Sequence, residues 1–133
     1  MKKIFLMLFL LFGLIELAAA EQVSKAVVVQ ANGDKVQFER ALKLASNMHE
    51  ILQKTKFEIV VYGPAVKFLT EFSEEVPLIQ KMQAEGMKVI ACGRSLKTDE
   101  VDESTLAPGI VVIPYGAVHI VNRQKQGWQY FRP

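Results

Sequence analysis

Four short apolar runs recur along the chain: Lys25–Gln30, Phe57–Tyr62, Met87–Ala91 and Ile110–Ile113. None keeps a two-residue polar alternation, so each reads as a strand buried on both faces. The segments between them carry helical spacing. Phe38, Ala41, Leu42, Ala45, Met48 and Leu52 return at three- and four-residue steps, one face of a helix. Asp34 and Gln37 predict an N-cap and its capping-box partner. Glu39 with Lys43, and Glu50 with Lys54, fall at i,i+4 on the outer face. Residues 65 to 85 read as helix interrupted near Ser73–Pro77 and closed by Gly86. Arg94 to Ala107 is polar, with room for one or two helical turns. Tyr115–Gln126 reads as a last helix with Val118 and Val121 inward, and Trp128–Phe131 as a short terminal strand. Alternation of this kind predicts a three-layer α/β/α sandwich with a mostly parallel sheet of about five strands. Ligands in such sheets sit beyond the carboxyl ends of the strands. Here those ends are Asn32-Gly33-Asp34, Gly63-Pro64, Cys92-Gly93 and Pro114-Tyr115-Gly116.

The N-terminus has a different character. Lys2 and Lys3 precede an apolar run from Ile4 to Ile15, and Glu16 leads into Leu17-Ala-Ala-Ala20. Small side chains at Ala18 and Ala20 suit cleavage before Glu21, so residues 1–20 read as a cleaved signal peptide and 21–133 as one domain. A spanning helix would need about 20 apolar residues, and Glu16 would sit inside it; stable membrane insertion after cleavage is not expected. The expected destination is the bacterial periplasm. Without Lys2, Lys3 and Glu16 the formal charge of +2 falls to +1, which gives no electrostatic footprint for nucleic acid.

The single cysteine excludes an internal disulfide framework, a zinc knuckle and a CxxC redox pair. It also stands out in an oxidising compartment, which favours paired thiols. Cys92 falls one residue past the third predicted strand, at the mouth of the sheet. Gly93 lets backbone approach closely, and a helical turn from Arg94 aims amides at the sulfur, with Lys97 nearby. That setting lowers a thiol pKa and creates a nucleophile able to hold sulfane sulfur as a persulfide. The competing reading makes Cys92 a small buried hydrophobe. Other groups carry less. Asn32-Gly33-Asp34-Lys35 lacks a phosphate-loop fingerprint and reads as a turn with an N-cap. His49 and His119 have no metal-ligand spacing and no metal site is expected. Asp99, Glu100, Asp102 and Glu103 read as a solvated loop. No serine lies in a GxSxG elbow, and flavodoxin-type nucleotide binding lacks a phosphate fingerprint. Tyr115, Trp128, Tyr130 and Phe131 suit core packing or a subunit interface.

Gly86-Met-Lys-Val-Ile-Ala-Cys92-Gly93, Ser95-Leu96-Lys97, Leu106-Ala-Pro108-Gly109, Val112-Ile-Pro114 and Gly116 together resemble the DsrE/DsrF-like family. The close, Gln126-Gly-Trp128-Gln-Tyr-Phe-Arg132-Pro133, resembles its short exported members. The resemblance implies an α/β/α sandwich that assembles into homotrimers or homohexamers, with kinship to proteins of sulfur relay. Cys92 then matches the strand-end cysteine of that family. The resulting expectation is a sulfur carrier or sulfurtransferase-like protein without cofactor, passing sulfur to a thiol-bearing partner, with Gly93 and Arg94 supporting the Cys92 thiolate. The alternative is a non-catalytic periplasmic homo-oligomer that binds a small ligand or protein partner, with Cys92 structural.

Overall fold

The apolar runs become strands where expected. β1 (Ala26–Ala31) leads through α1 (Lys35–Ile51) to β2 (Lys56–Val61). A 3₁₀ segment (Gly63–Leu69) and α2 (Val76–Ala84) follow, then β3 (Lys88–Cys92) and α3 (Gly93–Thr98). A 3₁₀ turn (Glu103–Thr105) precedes β4 (Val111–Ile113), α4 (Gly116–Lys125) and β5 (Gln129–Phe131). This computed structural model describes residues 26–133, so the expected leader and its cleavage before Glu21 lie outside the described residues. The five strands form one sheet in the order β4-β3-β2-β1-β5, every pair parallel. Among the described residues no helix is long and apolar enough to cross a membrane.

Register fixes the two faces. Val29 lies beside Ile59, and Ile59 beside Val89. This row faces the larger core, where Phe38, Leu42 and Ala45 of α1 meet Ile79 and Met82 of α2 and Leu96 of α3. Phe38 also stacks on Phe68, with ring centroids 5.6 Å apart. Burial of this apolar surface supplies the main stabilisation of the fold. The opposite face carries Val28, Val60 and Ile90, covered by Ile120 of α4 and flanked by Trp128. The sandwich has three layers, and among the described residues the second helical layer consists of α4 alone.

Local departures have tertiary causes. Asp34 Oδ1 accepts the Gln37 amide at 2.9 Å, as an N-cap should. The reciprocal half of the capping box is missing, because the Gln37 side chain folds over Gly33 into the space a Cβ there would fill. Glu50 reaches Lys81 on α2 at 3.5 Å rather than Lys54, which has left the helix at φ +71°. The expected helix over 65–85 begins as 3₁₀ because tertiary bonds intervene: Ala107 N donates to Leu69 O and Glu71 N to Thr105 O. Val118 and Val121 were expected to face inward, yet they are 54% and 49% exposed. Gly116, His119, Ile120 and Arg123 face the sheet instead. The phase of α4 is set by a carboxylate on β2, described below.

Candidate functional site

Cys92 ends β3, one strand from the sheet edge, paired in register with Ile113 of β4. Its own residue is the N-cap of α3, with φ −76° and ψ 112°, so the chain turns into helix immediately after the sulfur. Gly93 makes that turn possible beside β4, since an added Cβ would lie 3.1 Å from Ile113 O. Arg94 N donates to Pro114 O at 3.1 Å, tying the turn to the strand that follows.

Two further residues shape the thiol. Gly116 opens α4 directly against it: a Cβ there would meet Cys92 Cβ and Val60 Cγ1 at 3.1 Å each. The missing side chain is what lets the amide end of α4 approach Cys92. Ser95, on the first turn of α3, accepts the Gly63 amide on Oγ at 2.8 Å. With that lone pair occupied, its hydroxyl proton is free to donate toward the sulfur.

Burial pushes the Cys92 thiol up, because a thiolate loses hydration there. The Ser95 hydroxyl and the backbone amides of Gly116, Ser95 and Arg94 oppose this and win, so the group is held below the ordinary thiol value. The thiol form is oriented by Pro114 O, 4.0 Å from Sγ. Cys92 is nonetheless only 5% exposed. Next to it, an open hollow of about 550 Å³ lies over Gly93 and the end of β4. Arg94, Lys97, Glu103 and Tyr115 line it, and Cys92 is not among its lining residues.

Of the residues picked out in the sequence, Cys92, Gly93 and Arg94 come together as neighbours. Arg94 meets the sulfur through its backbone amide, and its side chain is exposed over the hollow. The roles of Ser95 and Gly116 at the thiol escaped the sequence reading, although both residues stand in the segments that resemble the family. Ser95 lies three residues after the thiol, where one helical turn returns its hydroxyl. Gly116 stands at a strand end on the ligand side, but its contact with Cys92 spans 24 residues of chain.

The other candidates resolve into structure. Asp99 pairs with Lys67 at 3.1 Å, and Asp102 caps the 3₁₀ turn through Ser104 N at 2.9 Å. His49 packs edge-on to Phe57. His119 joins a cluster the sequence did not disclose: Glu58, with its side chain 3% exposed, takes His119 Nε2 at 2.7 Å. The same carboxylate accepts two bonds from Arg123, at 2.8 and 2.7 Å. Arg123 in turn lies 4.6 Å over the Trp128 ring. Among the described residues no group of three His, Cys, Asp or Glu side chains could hold a metal ion.

The DsrE/DsrF-like family model matches residues 14–133. The chain belongs to the DsrE/DsrF-like family. Solved structures agree on the fold. One is the structure of MTH1491, a protein of unknown function from Methanobacterium thermoautotrophicum. It is 31% identical, with a TM-score of 0.74 over 83% of this chain and 100% of that one. The ychN protein from E. coli aligns at a TM-score of 0.72 and 14% identity, covering 82% of this chain and 99% of its own. BT1422 from Bacteroides thetaiotaomicron, a conserved protein of unknown function, aligns at 0.67 and 19%, covering 82% and 95%. No curated protein matches the chain. This DsrE/DsrF-like chain thus shares its fold with all three solved structures.

Proposed function

We propose that this DsrE/DsrF-like protein is an exported sulfur carrier that holds sulfane sulfur as a persulfide on Cys92. The observation that supports this reading is the convergence of Ser95, Gly116 and Arg94 donors on a strand-end thiol whose burial alone would keep it protonated. The Cys92 thiolate attacks the outer sulfur of a donor persulfide. A new S–S bond forms as the donor's S–S bond breaks, and the donor departs as a thiolate with the electron pair. Delivery reverses this: a partner thiolate attacks the outer sulfur and Cys92 leaves as thiolate, with no net oxidation. The convergent donors stabilise Cys92 both as attacking thiolate and as leaving group. No cofactor enters the cycle.

Intact mass after polysulfide treatment tests it. One added sulfur atom, released by reductant and absent in Cys92→Ser, is the expected result. An unmodified native protein, with adduct forming only after denaturation, overturns it. That outcome would favour a second reading, which the near-complete burial of Cys92 supports: the thiol is structural and the task lies in the surfaces. Either way we propose a homotrimer or homohexamer in the periplasm. The exposed Tyr115, Val118 and Val121 around the single-helix layer offer it an apolar face.

A further inference from the structure

The hollow beside Cys92 bears on what brings the sulfur. Its volume of about 550 Å³ lies within the roughly 300–1,000 Å³ of sites that take a whole small organic molecule. Two of its lining residues adjoin the thiol: Gly93 follows Cys92 in the chain, and Pro114 O lies 4.0 Å from Sγ. Cys92 itself is only 5% exposed, so its sulfur is met by a slender chain end rather than by a rigid protein surface. The terminal S–SH of a small persulfide, carried on a methylene group, has that shape.

The charges of the lining narrow the carrier. Arg94 and Lys97 are exposed over the hollow, and Glu103 supplies one carboxylate. None of the three forms an ion pair among the described residues. The neighbouring acids are drawn elsewhere: Asp99 pairs with Lys67 at 3.1 Å, and Asp102 accepts Ser104 N at 2.9 Å. Val112, Ile113 and the Tyr115 ring supply apolar lining. Two cations and one carboxylate complement two carboxylates and one ammonium, the charges of a glutathione-like thiol. Arginine's fork suits a carboxylate in particular. A small inorganic donor such as thiosulfate would fill little of the volume and would leave Glu103 facing like charge.

We propose that this hollow seats the donor's carrier group, and that the donor is the persulfide of a small thiol bearing carboxylates and an ammonium group. The inference rests on the carrier reading of Cys92. The Cys92 thiolate attacks the outer sulfur, which passes to it with its proton, and the carrier leaves as thiolate with the electron pair of the broken S–S bond. Rates of Cys92 loading by intact mass test it, with the persulfides of glutathione, N-acetylglutathione and 2-mercaptoethanol and with thiosulfate, each normalised to its reaction with free cysteine. Glutathione persulfide should load roughly tenfold faster than the 2-mercaptoethanol persulfide, and salt should shrink the preference. Any change in the thiol itself cancels in that ratio. Arg94→Gln and Lys97→Gln should each lower it by about two- to fivefold, the worth of an exposed charge pair. Glu103→Gln should lower the preference for glutathione persulfide over its N-acetyl form. A ratio near one, a ratio unchanged when Arg94→Gln and Lys97→Gln are combined, or faster loading from thiosulfate overturns this inference while the persulfide on Cys92 stands. No loading from any donor overturns the carrier reading, and this inference with it.

Discussion

Cys92 shows how much of a side chain's chemistry is fixed by its immediate donors. Burial by itself would raise the thiol, yet three amides and one hydroxyl reverse the sign. Ser95 is the separable member, because its loss leaves the backbone intact. Ser95→Ala removes one hydrogen bond to sulfur, of order 0.5–1.5 kcal/mol, so alkylation of Cys92 near neutral pH should slow by about two- to tenfold. The midpoint of its pH–rate profile should move up. An unchanged midpoint would mean that Ser95 does not touch the thiolate. The same variant deprives Gly63 N of its 2.8 Å acceptor, so a modest loss in thermal stability should accompany the kinetic change.

At the scale of elements, α4 is the piece most exposed to disruption. Among the described residues it is the sole helix on its side of the sheet, and it is held by Ile120 and by the bonds of Arg123 and His119 to Glu58. Burial pushes the Glu58 carboxyl up, but the hydrogen bonds from Arg123 and His119 more than offset this and hold it below the ordinary glutamate range. A folded-state value below the unfolded one gives stability that is fully present above the unfolded pKa of about 4.3 and lost as pH falls through the folded value. Denaturant midpoints should therefore drop on acidification. Glu58→Gln should flatten that acid limb and, at neutral pH, cost about 1–3 kcal/mol, because the amide keeps an acceptor for the partly exposed Arg123 but not the opposite charge. Equal midpoints for the two proteins at neutral pH would show that α4 is held by packing alone. Since Gly116 begins the same helix, loosening the clamp should also slow alkylation of Cys92 at constant pH.

At the scale of the whole molecule, the asymmetry between the two layers has a consequence for assembly. Among the described residues one face of the sheet is covered by α1, α2 and α3, the other by α4 alone, and Tyr115, Val118 and Val121 stay half-exposed around it. Apolar groups grouped in this way favour association. Val118→Asp combined with Val121→Asp should convert the proposed homo-oligomer to monomer in sedimentation, with the circular dichroism unchanged. A monomeric parent chain would remove the basis of that proposal.

The strands and the main core were legible in the sequence because parallel strands buried on both faces must be apolar throughout, and α1 must show its face at every turn. Phe38, Ala41, Leu42 and Ala45 are buried as their spacing required. Cys92 and Gly93 were legible for the same local reason: they follow a strand, and a strand end faces the ligand side of the sheet. The orientation of α4 was not. Val118 and Val121 are apolar and invited burial, but Glu58 on β2 draws His119 and Arg123 toward the sheet, 61 and 65 residues away. Gly116 at the thiol and the hydroxyl of Ser95 held by Gly63 belong to the same class. Sequence by itself determined which segments must be buried, because the hydrophobic effect acts on each segment's own composition. Tertiary structure decided which polar groups meet, because hydrogen bonds and ion pairs act over a few ångströms and their partners are brought together only by the fold.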